Sequence, residues 1–183
     1  MIKLGFIHGR FQLFHNDHLR YALDAKERCE KLIVGITSPE NSVLIREEID
    51  PHRSNACDNP FTFYERFNMV KAALLEAGIP REEFEIVPYP IERPEILYNY
   101  IPLNATSFFT IYDQWGYEKL HRLSELGYDI FVIPRGEKQM CSTEIRSKIV
   151  DGEDWKSMVP NAVYNYLVEN NLTDKIKQAL AGK

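Results

Sequence analysis

Two short apolar runs flank a segment of helical spacing at the start of the chain, and this pattern restricts the fold more than any other feature of the sequence. Residues 2–7 and 32–37 each have the length and composition of a buried strand. Between them, apolar side chains from Asn16 to about Cys29 recur every three to four positions, with Asn16 as the predicted N-cap. A strand, a helix and a strand in this order form a parallel pair with a right-handed crossover. The chain is therefore predicted to contain a parallel sheet.

The alternation of strands and helices continues along the rest of the chain. Strands are predicted at residues 84–89, 106–112 and 128–134, and helices at residues 63–77, 117–126, 143–150 and 160–170. Residues 38–60 contain three prolines and many turn-forming residues, which predicts a long loop, either a lid over a binding site or an insertion without a task. The order predicts an α/β fold with a doubly wound parallel sheet. One domain is expected over residues 1–170, with a polar tail at residues 171–183.

Composition excludes several classes of protein. With 183 residues, 44% of them hydrophobic, the chain suits one domain with a sizeable core. A formal net charge of -5 argues against a protein that coats nucleic acid, because such proteins need an excess of lysine and arginine. No apolar run approaches the roughly 20 residues of a membrane span, and the N-terminal run is too short for a signal peptide. The three cysteines are irregularly spaced and fit no disulfide framework, so a cytoplasmic protein is expected.

The segment between the first predicted strand and helix carries the strongest functional signal. His15 and His18 are three residues apart at a predicted helix N-terminus, so both imidazoles can face one side beside backbone N–H groups that favour an anion. Arg10 adds a permanent charge whose fork geometry suits phosphate oxygens. The alternative is that the histidines only cap or pack the helix. A zinc site would need a third ligand, and no cysteine is placed near them by sequence.

A second candidate segment opens the helix predicted at residues 143–150. Ser142 and Thr143 offer hydroxyl and N–H groups at a helix N-terminus, and Arg146 lies one turn further along. Ordinary N-capping is the alternative, since serine and threonine are preferred there in any case. Together with the first segment, the pattern favours two strand-to-helix junctions that bind one polyphosphate.

These segments resemble the signatures of a known enzyme superfamily. Residues 9–18, GRFQLFHNDH, resemble the GRFQPFHxGH segment of nucleotidyltransferases, particularly nicotinamide-mononucleotide adenylyltransferases. Residues 142–146 are similar to their second signature, SSTxIR, and residues 59–66 resemble the DPFTxxER segment of archaeal-type members. The resemblance implies a Rossmann-like sheet and an enzyme that joins a nucleotide from Mg²⁺-NTP to a phosphate-bearing acceptor, with release of pyrophosphate.

The resemblance also implies roles for individual residues. His15 and His18 are expected on the triphosphate near the reacting centre, and Arg10 and Arg146 on the β- and γ-phosphates. Mg²⁺ is expected to bridge phosphates and water, with no protein side chain predicted as a ligand. Further nucleotide contacts are expected from Phe6, His8, Gly9, Phe11, Ser142 and Thr143.

The acceptor is less well defined, because the sequence departs from the family pattern. Asp17 replaces a glycine, which is expected to alter base or ribose contacts, and no tryptophan stands in residues 91–101, where Leu97 is near the expected position. ATP and nicotinamide mononucleotide are the first expectation, with Tyr98, Tyr100 and Trp115 as the aromatic residues that could face the nicotinamide ring. The alternatives are a cytidylyltransferase that uses CTP and a phosphorylated or phosphonate metabolite, and a non-catalytic nucleotide sensor. The sequence leaves open whether the chain forms a homo-oligomer.

Overall fold

The computed structural model describes residues 1–39, 58–111, 114–134 and 139–181. The side chains of residues 114, 115, 118 and 119 also lie outside the description. Most of the loop predicted at residues 38–60 therefore falls outside the described residues, as does the side chain of Trp115.

A parallel sheet forms the centre of the molecule. Its strands are Ile2–Gly9 (β1), Cys29–Thr37 (β2), Phe84–Tyr89 (β3), Thr106–Phe109 (β4) and Ile130–Val132 (β5). The spatial order is β3-β2-β1-β4-β5, and every neighbouring pair is parallel. The chain builds outward from β1 on one side and then returns to build β4 and β5 on the other. The order thus reverses beside β1, and in open α/β sheets ligands bind at the carboxyl edge of such a switch point.

Helices cover both faces of the sheet, which confirms the predicted doubly wound α/β fold. They are Asn16–Lys26 (α1), Phe63–Glu76 (α2), Gln114–Glu125 (α3), Ser142–Asp151 (α4), Asn161–Glu169 (α5) and Leu172–Ala181 (α6). Alternating strand residues point to opposite faces, so Ile7 packs under α1, α2 and α4–α6 while Phe6 packs under α3. No helix of the described residues is both long and apolar enough to cross a membrane.

Residues 172–181 form helix α6, so the polar tail predicted at residues 171–183 is wrong for these residues. Leu172 and Ile176 of α6 are buried in the larger core, and Leu180 packs against it. These three residues are four apart, which places them on one face of a helix despite the polar residues between them. Lys175 adds an ion pair of 2.7 Å to Glu65 of α2.

Candidate functional site

The first helix is capped one residue earlier than predicted. His15, in extended conformation, is the N-cap of α1, and its carbonyl accepts the first helical hydrogen bond from Leu19 N–H at 3.0 Å. Asn16, predicted as the cap, is instead the first helical residue, and its side chain donates to the Ser157 carbonyl at 2.9 Å. The N–H groups of residues 16–18 have no carbonyl to meet within the helix, so this end of α1 favours an anion.

The two histidines lie side by side, as predicted. Their rings stack with centroids 3.7 Å apart and planes 17° from parallel. His15 is only 2% exposed, whereas His18 is partly exposed. The His15 N–H donates to Nδ1 of His18 at 3.4 Å, which favours the neutral tautomer of His18 with its proton on Nε2. His18 can therefore offer an N–H donor outside the helix.

Two of the predicted nucleotide contacts are packing residues. Phe6 is fully buried on the α3 face, with its ring 5.1 Å from that of Tyr128. Phe11 is also buried, and the edge of its ring meets His18 with the centroids 5.0 Å apart. Glycine at position 9 leaves room for the Phe11 ring, because a Cβ at that position would lie 2.6 Å from the ring. Phe11 thus helps to orient His18. Both side chains are packed inside the protein, and a nucleotide contact by Phe6 or Phe11 stays a prediction.

The start of α4 is held against the loop between β1 and α1. The Ser142 hydroxyl donates to the Leu13 carbonyl at 3.1 Å, and the Thr143 hydroxyl accepts from the Arg146 guanidinium at 3.3 Å. Both hydroxyls are thus engaged within the protein. The first-turn N–H groups of α4 remain as donors for an anion, and the structure brings the two predicted helix N-termini together.

Arg146 connects three segments of the chain rather than projecting into solvent. Its Nη1 donates to the Gln12 carbonyl, and its Nη2 donates to Asp58 Oδ1 at 2.9 Å. Burial lowers the pKa of Arg146, and the negative charge of Asp58 opposes that shift. The Nε atom is buried without a hydrogen-bond acceptor among the described residues. Arg146, predicted as a phosphate ligand, thus holds the loop in place through these hydrogen bonds, and its contact with phosphate stays a prediction.

A second buried arginine was not among the predicted site residues. Arg66 of α2 donates to the carbonyls of Thr37, Ser38 and Arg10 at 2.7, 2.8 and 3.0 Å. Burial, followed by the nearby charge of Arg10, lowers the pKa of Arg66 to about 10, so it remains charged at neutral pH. Arg10 and Arg66 together make the start of the β1–α1 loop positive. The resemblance of residues 59–66 to the DPFTxxER segment could have identified Arg66, which matches the final arginine of that segment.

The same segment fixes the loop at another point. The side-chain amide of Gln12 donates to the Phe61 carbonyl at 3.0 Å and accepts from the Phe61 N–H at 2.9 Å. Residues 58–66 therefore support the β1–α1 loop through Asp58, Phe61 and Arg66.

A narrow cavity opens on the α3 face of the sheet. It is lined by His8, Tyr89, Leu97, Arg122 and neighbouring apolar residues, and it encloses about 10 Å³, the room of one water molecule. The His8 ring stacks on Tyr89 with centroids 4.7 Å apart. Gly35 pairs with His8 in the sheet, and a Cβ there would lie 2.9 Å from Tyr89. Tyr89 has a buried hydroxyl without a hydrogen-bond partner among the described residues, and burial raises its pKa.

The residues predicted to stack on an acceptor are not gathered around this cavity. Tyr98 is 60% exposed, Tyr100 is also exposed, and neither lines the cavity. Leu97 is the buried residue of that turn and forms part of the cavity wall. The prediction for Trp115 falls on a side chain outside the description.

Comparison with known proteins identifies similar chains of two activities. A family model described as cytidylyltransferase-like matches residues 6–165. A phosphonoformate cytidylyltransferase from Streptomyces viridochromogenes is 42% identical over 174 residues, which cover 94% of this chain and 95% of the relative. A nicotinamide-nucleotide adenylyltransferase from Thermococcus kodakarensis is 31% identical over 180 residues, which cover 97% of this chain and 88% of the relative.

A solved structure shares the fold. It is a bifunctional NMN adenylyltransferase/ADP ribose pyrophosphatase from Francisella tularensis, with a TM-score of 0.72 and 23% sequence identity. The match covers 99% of this chain and 53% of the other, so this chain spans about half the length of that protein.

Proposed function

This chain is a nucleotidyltransferase of the cytidylyltransferase-like family, and we propose that it transfers a cytidylyl group from CTP to a small phosphonate or phosphate acceptor. The proposal adopts the alternative raised by the sequence in place of ATP and nicotinamide mononucleotide. The observation that carries it is the cavity beside His8, which is small, has Arg122 in its wall, and has Leu97 where the related adenylyltransferases were expected to have a tryptophan. The relative with 42% identity is named for the same chemistry.

The cavity argues for a small acceptor on grounds of size and chemistry. A nicotinamide ring gains about 0.5–2 kcal/mol from an aromatic face, and Tyr98 lies outside the cavity. The space of about 10 Å³ holds one water molecule, so it must widen for any acceptor, and a small phosphonate or phosphate needs less widening than a nicotinamide mononucleotide. Arg122 and His8 on the cavity wall suit an anionic group instead, and the buried Tyr89 hydroxyl offers a further hydrogen bond.

The reaction needs no protein nucleophile. An oxygen of the acceptor phosphonate or phosphate attacks the α-phosphorus of CTP in line, a new P–O bond forms, and the bond to the leaving pyrophosphate breaks. We assign His18 Nε2–H and the first-turn N–H groups of α1 and α4 to the phosphate oxygens, where they stabilise developing charge. The charge of Arg10, supported by Arg66, adds to this positive site.

A divalent cation fits this scheme as a partner of the nucleotide. In the described ranges no three His, Cys, Asp or Glu side chains converge on one point. Mg²⁺ beside a nucleotide is usually held by phosphate oxygens and water, and the same is proposed here. Its chemical contribution would be to neutralise phosphate charge.

The test is a substrate matrix. Pyrophosphate release is measured for the purified chain with each of four NTPs against phosphonoformate, other small phosphonates, small phosphate monoesters and nicotinamide mononucleotide. Products are identified by ³¹P NMR. We expect the highest kcat/KM with CTP and a small acceptor. A higher kcat/KM for ATP with nicotinamide mononucleotide would overturn the proposal and restore the first expectation.

A further inference from the structure

Asp17 stands where the family signature has glycine, and its contacts suggest a role in shaping the site. We propose that Asp17 is a positioning residue that clamps the segment before α4 onto the first turn of α1. The clamp would hold the two helix N-termini at a fixed spacing before a nucleotide binds. This proposal rests on the proposed function, because it concerns the same phosphate-binding site.

One oxygen of the Asp17 carboxylate makes the clamp. Oδ2 accepts hydrogen bonds from the Gln139 N–H at 3.1 Å and the Met140 N–H at 2.9 Å. These residues directly precede Cys141, the N-cap of α4. The two hydrogen bonds join residues that are separated by 122 and 123 positions in the sequence. A glycine at position 17 has no side chain to make it.

The other oxygen is neutralised by a neighbouring cation. Arg20 Nη2 donates to Asp17 Oδ1 at 2.7 Å and to the side-chain oxygen of Gln139 at 3.2 Å. The Asp17 side chain is 12% exposed, so the carboxylate is largely shielded from water. Its position in the first turn of α1 also suits a negative charge, because the helix dipole is positive there. Asp17 can therefore lie beside a polyphosphate site with its charge compensated.

The clamp predicts a specific kinetic effect. If the α4 start is held in place before binding, the entropy of ordering it is not lost when the triphosphate binds. Without the clamp, the KM for CTP should rise by about 10–100-fold, the size expected from losing a hydrogen bond to a charged group. The KM for the acceptor should stay within about twofold, since the acceptor cavity lies on the α3 face.

Four variants separate the clamp from its surroundings. Asp17→Ala removes both carboxylate oxygens, whereas Asp17→Asn keeps one oxygen for the two N–H groups and loses the ion pair with Arg20. Arg20→Gln loses the same ion pair and keeps the carboxylate. Glu76→Ala is the matched control, because the Glu76 carboxylate accepts the Ala162 N–H at 3.0 Å and joins α2 to α5 outside the phosphate site.

Two measurements are made on each folded variant. Hydrogen exchange of the Gln139 and Met140 amides is followed by NMR without nucleotide, and steady-state kinetics give the KM for CTP and for the acceptor. We expect Asp17→Ala to exchange these amides at least tenfold faster and to show the higher KM for CTP. Asp17→Asn and Arg20→Gln should resemble each other and lie close to the parent chain. Glu76→Ala should change neither quantity.

Each other result counts against the clamp. Unchanged exchange in Asp17→Ala would refute the contact, and faster exchange with an unchanged or lower KM for CTP would refute the positioning role. If Asp17→Ala does not fold, Asp17→Gly takes its place, because glycine is the residue of the family signature. A parent chain that turns over no NTP would refute the proposed function, while the exchange data would still decide whether Asp17 holds the α4 segment.

Discussion

At the start of α1 the two stacked histidines have different surroundings. His15 is almost fully buried and caps the helix, whereas His18 is partly exposed and holds its Nε2 away from the backbone. His18 is therefore the better placed to meet a phosphate oxygen. The sequence predicted the pair and its common side, but it could not show that only His15 is buried or that the rings of Phe11 and Phe14 lie beside His18.

Replacement of His18 by alanine should reduce catalysis without unfolding the chain. Loss of one preorganised donor to a transition state typically lowers kcat by about 10²–10³-fold. Steady-state kinetics with CTP and the best acceptor measure the effect, and circular dichroism checks the fold. His121→Ala is the control, because the His121 side chain is 74% exposed on α3. Near-normal kcat in His18→Ala would remove this residue from the proposed mechanism.

The ion pair between Arg146 and Asp58 should contribute strongly to stability. Both side chains are buried, and removal of one partner from a buried pair costs about 3–5 kcal/mol because the other charge is left uncompensated. Asp58→Asn should therefore lower the free energy of unfolding by about that amount in urea denaturation. Asp174→Asn is the control, since Asp174 forms only an exposed pair of 3.8 Å with Lys177. Equal losses of unfolding free energy in the two variants would contradict the proposal that the Arg146–Asp58 pair holds the loop in place.

At the scale of elements, strong local sequence patterns were sufficient to predict individual strands and helices. The strand predicted at residues 84–89 is β3, and the helix predicted at residues 63–77 is α2 with one residue fewer. The Thr62–Glu65 capping box and the positive φ of 83° at Gly78 explain why α2 begins and ends where it does. The missed helix α6 has large apolar residues only at every fourth position, and its burial depends on packing against α4 and α5, which local composition does not show.

One glycine of β2 packs against the cavity that is proposed to bind the acceptor. Gly35→Ala would place a Cβ against Tyr89 and disturb its stack with His8, so we expect a loss of about 1–3 kcal/mol in stability and a several-fold higher KM for the acceptor. Gly5→Ala is the matched control, because its Cβ would meet Phe108 in the larger core. Stability from denaturation and the KM for the acceptor are measured on both. The same rise in KM for both variants would show that the cavity beside Tyr89 is not the acceptor site.

At the scale of the whole molecule, charge is unevenly distributed. The net charge is -5, yet Arg10, Arg66 and Arg146 all lie around the β1–α1 loop. The sequence indicated two of these arginines by motif. It could not show that Arg146 pairs with Asp58, because that contact joins residues 88 positions apart. Because Asp58 compensates the charge of Arg146, the positive charge at this loop comes mainly from Arg10 and Arg66, and overall composition is a poor guide to it.

A nucleotide that binds this site should stabilise the entire fold. The β1–α1 loop, α2 and α4 meet there, so a ligand that binds only the folded chain adds its binding free energy to the stability of all three. At 100 times its Kd, CTP should stabilise the chain by about 2.7 kcal/mol, which raises the Tm of a domain of this size by about 5–11 °C. Thermal denaturation with equal concentrations of CTP and ATP, each with Mg²⁺, measures the preference. His18→Ala should show a smaller shift than the parent chain. A larger shift with ATP than with CTP would contradict the proposed base, because the folded site would then bind adenine more tightly than cytosine.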